Sequence, residues 1–109
     1  MAYEVVVLET YETALEAAIA YRVSFFGARN AQSLLAEQES VEARLAAFPK
    51  SGAPVDAHAE ANDGDVLRWV SVGPYIAVYE TDSLNQRVLF EMLFYSREDW
   101  REKIRKVAR

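Results

Sequence analysis

Cysteine is absent from this 109-residue sequence. That excludes a disulfide framework, a thiolate metal site and a cysteine nucleophile, and it fits a reducing compartment. No run of about 18 apolar residues occurs, so no membrane-spanning helix is expected. The opening segment, residues 1–9, lacks a basic stretch and carries Glu4 and Glu9, so it does not read as a secretory signal. Internal repeats and low-complexity tracts are missing too. Positive charge is scarce: 12 basic side chains face 17 acidic ones, a net charge of −5. Residues 1–96 hold only six of the basic groups and 14 of the acidic ones, so most of the chain would repel a polyanion. A protein built to live on a phosphate backbone has the opposite balance.

What is present is an ordinary globular composition, half hydrophobic and 27% charged. Its length is enough for one hydrophobic core without a metal or a disulfide, and residues 1–109 read as a single domain. The remaining basic groups gather in residues 97–109, where Arg97, Arg101, Lys103, Arg105, Lys106 and Arg109 face Glu98, Asp99 and Glu102. This tail is the one place where a polyanion would be attracted, and as a solvated helix end its cations would complement the dipole of a closing helix.

Residues 3–9 are β-branched and aromatic, which predicts a strand. Thr10 is placed to cap a helix over 11–26, with Leu15, Ile19 and Val23 on one stripe and Ala18, Arg22 and Phe26 beside it. Gly27 closes that helix. A second helix is expected from a cap at Asn30, with Ala31, Leu34, Leu35, Gln38, Val41, Leu45 and Phe48 on one face and Pro49 ending it. A connection of about three residues makes the two an antiparallel hairpin. After a polar linker from Pro49 to Gly64 come strands over 65–72, 75–80 and 87–95. Gly73-Pro74 and residues 81–85 separate them, giving an antiparallel meander. Ser96 to Asp99 has the pattern of a capping box for a final helix, with Trp100, Ile104 and Val107 on its apolar face. The order β-α-α-β-β-β-α implies an α+β fold, a helical hairpin packed on a mostly antiparallel four-stranded sheet.

His58 is the sole histidine and lies in the linker. The acids around it (Asp56, Glu60, Asp63 and Asp65) do not have calcium-loop spacing, and the stretch reads as a solvated acidic loop. No metal site and no cofactor are expected.

The segments Tyr11 to Phe26, Leu34 to Gly52, Val72-Gly73-Pro74-Tyr75-Ile76-Ala77-Val78-Tyr79 and Leu93-Phe94-Tyr95-Ser96-Arg97-Glu98-Asp99-Trp100, in that order and spacing, resemble the RelE/ParE family of bacterial toxins. The resemblance implies a cytoplasmic toxin of a type II toxin–antitoxin pair, neutralised by a cognate antitoxin protein. Its target would be the ribosome, through metal-independent messenger-RNA cleavage, or DNA gyrase. The basic cluster frequent in the RNA-cleaving branch reduces here to Arg68. Ile76 stands where an arginine is frequent, and residues 100–103 hold neither tyrosine nor histidine. Catalytic roles therefore carry over to Arg97 and Arg68, which would stabilise phosphorane charge, with Tyr95 and Tyr79 as hydroxyl donors on the sheet. The long hairpin and acidic balance are nearer the ParE-like side. The alternative is a catalytically inactive interaction module on the same fold. An exposed sheet edge also favours pairing with a second copy as a homodimer.

Overall fold

A computed structural model describes residues 2–55 and 66–107. The chain runs β1 (Glu4–Val7), α1 (Glu9–Phe26), α2 (Ala28–Ala47), β2 (Ala53–Pro54), β3 (Leu67–Val72), β4 (Tyr75–Asp82), β5 (Arg87–Tyr95) and α3 (Trp100–Val107). The linker group around His58 lies outside the described residues.

The meander forms as the alternation predicts: β3 pairs antiparallel with β4, and β4 with β5. β1 runs parallel to β5, Val6 opposite Leu89, so the sheet closes through a crossover. A fifth strand was not anticipated. β2 is two residues long, too short to carry a period, and pairs with Arg68 and Trp69 at the far edge. The strand order is β1-β5-β4-β3-β2.

Strand alternation sends one set of side chains to each face. Val70, Val72, Tyr75, Ala77, Tyr79, Val88, Phe90 and Leu93 meet Tyr11, Ala18, Leu34, Val41 and Leu45 of the hairpin. On the other face Ile76 and Val78 pack against Trp100 and Ile104 of α3, which covers that side with Trp69 tilted onto Trp100.

Three helix ends differ from the expected ones. The first helix starts at Glu9, after Leu8, and Thr10 caps nothing. Leu8 still gives its N–H to the Phe90 carbonyl while its own carbonyl accepts from Glu12, so strand passes directly into helix. Gly27 alone joins the two helices. Its positive φ of 89° turns the chain within one residue, α2 starts at Ala28, and Asn30 lies inside it. Finally, Ser96 spends its N–H on the Pro74 carbonyl, and Glu98 reaches back to the Tyr95 N–H. The expected box is replaced by a turn, and helix α3 begins only at Trp100. Leu35, Val23, Phe26 and Phe48 were placed on buried stripes, and all four are exposed.

Two buried tyrosines tie the layers. Tyr11 donates to Gln38 at 2.6 Å, and the Gln38 amide donates to Glu42 at 2.9 Å. Burial pushes the Tyr11 hydroxyl up, so it stays a protonated donor. At the β3 edge the hydroxyl of Tyr79 accepts the Gly52 N–H at 2.9 Å, and Arg68 Nη1 donates to the Gly52 carbonyl at 3.0 Å. Both backbone groups of Gly52 are thereby satisfied by side chains.

Candidate functional site

The four residues singled out from sequence lie in two places. Arg68 stands opposite Tyr79 in the β3–β4 register, and Tyr95 stands opposite Tyr75 in the β4–β5 register. Four residue steps along β4 separate the two positions, roughly 13 Å along the strand. Arg68 is half-buried and engaged with Gly52, and its Nε is enclosed without a partner among the described residues. Tyr79 is fully buried. Burial raises its hydroxyl above the ordinary tyrosine range, so it holds the Gly52 loop from inside the core.

Tyr95 and Arg97 lie at the other end of the sheet. Arg97 is exposed in the turn between β5 and α3. The acid beside it, Glu98, is taken by Lys103 and by the Tyr95 N–H, and Arg97 makes no ion pair among the described residues. The ring of Tyr95 meets Tyr75 edge-on, centroids 5.8 Å apart.

Tyr95 and Tyr75 form one wall of a cleft of about 340 Å³ whose other wall is Tyr21, Arg22 and Phe26 from the end of α1. The guanidinium of Arg22 lies 5.1 Å from the Phe26 ring centre and 5.4 Å from that of Tyr75. Its Nε donates to the Tyr75 hydroxyl at 3.4 Å. A cation between two rings is electrostatically favourable and holds the guanidinium in one orientation. Sequence reasoning placed Arg22 and Phe26 on a helix stripe and missed this site. The signal was there: an arginine within an otherwise apolar stripe needs a partner, and only the fold supplies Tyr75.

The cleft offers an oriented cation, three phenol hydroxyls and exposed aromatic rings. That set can hold an anion and a planar group. Tyr95 is the one of the residues singled out from sequence that lines it; Arg68 and Arg97 do not.

A second feature had no sequence signal. Between Val78 and Tyr79 the β4–β5 register slips, so Met92 faces Val78 and Phe90 faces Tyr79, leaving Glu91 as the extra residue of a bulge. Glu91 lies beside Glu80. Burial, then the hydrogen bond and charge of Glu80, push the Glu91 carboxyl up to about 7. The usual value is 4.5, so the folded state holds a proton that the unfolded chain has released. The stability from this proton is complete below pH 4.5 and is lost as pH rises to about 7. Glu91→Gln should flatten this decline. Half of the group is exposed, so the gain at pH 8 is on the order of 1 kcal/mol. Denaturant midpoints of both proteins at pH 4.5 and 8 check it; parallel pH dependences would refute it.

Glu91 also lines a groove of about 320 Å³ with Leu8, Thr10, Ala14, Met92, Leu93 and Phe94. β1 covers β5 only as far as Phe90, so the β5 edge from Glu91 to Tyr95 has no strand beside it among the described residues. No group of three or more potential metal ligands forms among the described residues. Nor is any of their helices long and apolar enough to cross a membrane.

Neither a family model nor a curated protein matches this sequence. Solved structures do. One is a chain of the chromosomal ParDE toxin–antitoxin (TA) system from P. aeruginosa, with a TM-score of 0.65 and 11% identity over 86% of this chain and 96% of that one. The shared object is the fold, a helical hairpin on one face of a mostly antiparallel sheet, and it is the RelE/ParE-like fold that the residue pattern resembles.

Proposed function

We propose that this protein is the toxin of a bacterial toxin–antitoxin pair, acting in the cytoplasm and held in check by a protein antitoxin. It arrests growth by messenger-RNA cleavage on the ribosome or by inhibition of DNA gyrase. The observation that carries the reading is the coverage of the structural match, which takes in nearly all of a chain from a ParDE system and most of this one. Fold alone does not assign chemistry, and the choice of target rests on the cleft and Arg97. In the RNA-cleaving arm, Arg97 neutralises phosphorane charge and the Tyr95 hydroxyl moves a proton. The antitoxin covers the hairpin and adds a strand to the open β5 edge, where the apolar groove receives its side chains.

Induced expression in a bacterial host should stop growth, with viable counts falling at least tenfold, and co-expression of the gene product encoded beside it should restore growth. Arrest with cut messenger RNA, lost in Arg97→Ala, selects the ribosome. Arrest with intact RNA and an SOS response selects gyrase. Normal growth with folded protein accumulating overturns the toxin reading. It leaves an inactive interaction module, a reading favoured by one observation: Arg68 is committed to the Gly52 carbonyl.

A further inference from the structure

The β5 edge beyond Phe90 has no strand beside it, yet its far end is already filled. The Ser96 N–H bonds to the Pro74 carbonyl, the bond that brackets a non-hydrogen-bonded antiparallel pair. Tyr75 and Tyr95 are that pair, so the N–H and carbonyl of Tyr95 point away from β4, toward the edge. Two residues back, Leu93 stands opposite Ala77 in the same orientation. An added strand would therefore bond at Leu93 and at Tyr95. At Tyr95 both groups are taken by Glu98. Its Oε2 accepts the Tyr95 N–H at 3.0 Å, and its own N–H donates to the Tyr95 carbonyl at 3.1 Å. Lys103 of α3 holds the other carboxylate oxygen in place.

The edge that Glu98 closes is self-complementary. About a two-fold axis at Leu93, the two Leu93 residues would exchange N–H···O bonds, Met92 of each copy would face Phe94 of the other, and Tyr95 would face Glu91. Met92 and Phe94 are half-buried, and their groove continues to Leu8, Thr10 and Ala14. Arg97, which makes no ion pair among the described residues, falls diagonal to Glu91 of the second copy, so the charges match as well.

We propose that Glu98 is a plug: its carboxylate occupies the hydrogen-bonding position that a second copy of β5 would use, and so keeps the chain monomeric. A carboxylate on an edge N–H is a charged guard against strand pairing. The inference deepens the strand addition described above, since an antitoxin strand on this edge displaces the same carboxylate. It rests on that reading only for the natural partner.

The test is sedimentation equilibrium of the purified full chain across the micromolar range. Wild type should sediment as a monomer. Glu98→Ala should tighten self-association about a hundredfold, because each of the two copies no longer gives up a charge-assisted hydrogen bond, and it should sediment at twice the mass. Glu98→Gln removes the same charge but keeps an oxygen for the Tyr95 N–H, and should stay within about threefold of wild type. Thr10 is exposed on the groove wall, and Thr10→Lys in the Glu98→Ala background should restore the monomer. Trp100 is buried beneath α3, so its emission reports whether the helix stays docked. A monomeric Glu98→Ala, a dimeric wild type, equal association of the Gln and Ala variants, or association with red-shifted tryptophan emission would each overturn the proposal. A monomeric Glu98→Ala beside growth arrest by wild type overturns this inference alone. The expected masses without growth arrest overturn the toxin reading alone.

Discussion

Gly52→Ala should cost about 2–4 kcal/mol of folding stability. A Cβ at this position would meet the Tyr79 hydroxyl at 2.5 Å, its Cε1 at 2.7 Å and the Trp69 carbonyl oxygen at 2.9 Å. None of these atoms can retreat cheaply. Tyr79 is fully buried, and Trp69 is held in the sheet between Ala53 and Val78. Relief would break the Gly52–Tyr79 hydrogen bond and pull the Gly52 carbonyl away from Arg68. Urea denaturation followed by tryptophan fluorescence measures the loss. Tyr79→Phe serves as a control: it leaves the Gly52 N–H unpaired and should cost about 1–2 kcal/mol. Combining the two should cost less than their sum, because the shorter chain of atoms removes one clash and the shared hydrogen bond is lost only once. Full stability of Gly52→Ala would show that the loop is not clamped as described.

Phe90→Ala should be the more damaging change, about 3–5 kcal/mol. The ring is fully buried. It stacks on Tyr11 at 5.1 Å and meets the edge of Tyr79 at 6.2 Å, so one side chain joins α1 to the middle of the sheet. Its backbone carbonyl also takes the Leu8 N–H at the strand-to-helix passage. Removing the ring leaves a cavity that two hydrogen-bonded neighbours cannot fill: Tyr11 is tied to Gln38, and Tyr79 to Gly52. With typical domain stabilities of about 5–15 kcal/mol, such a loss approaches unfolding. The midpoint in urea, at unchanged slope, checks it. A loss under about 1 kcal/mol would mean that the layer between hairpin and sheet is loosely packed.

Legibility followed period. The 3.6-residue spacing of Ala31, Leu34, Gln38, Val41 and Leu45 marked the buried face of α2, and all five are buried. The alternation in residues 65–72 put Val70 and Val72 on one side and Leu67 and Trp69 on the other, as the two packed clusters have them. The final helix expected after residue 96 forms as α3, and it covers one sheet face through Trp100 and Ile104. Where local chemistry had to be weighed against distant partners, the reading failed. Thr10, Asn30 and Ser96 are good caps by residue type. The chain starts its helices elsewhere: the Leu8 carbonyl takes the Glu12 N–H, the Gly27 carbonyl takes the Ala31 N–H, and Ser96 gives its own N–H to the Pro74 carbonyl. Exposed Phe26 and Leu35 show the same limit, since a stripe on a helix becomes core only where the sheet extends beneath it.

The sequence by itself therefore determined the seven longer elements and their order, the α+β class and the family resemblance, because these depend on spacings of a few residues. Only the tertiary structure decided the parallel β1–β5 pairing, the Glu91 bulge, the commitment of Arg68 to Gly52, and the cleft that joins Arg22 to Tyr75 across 53 positions. Contacts over such separations leave no local period in the chain. They follow from which faces bury together and which backbone groups still need a partner once they have.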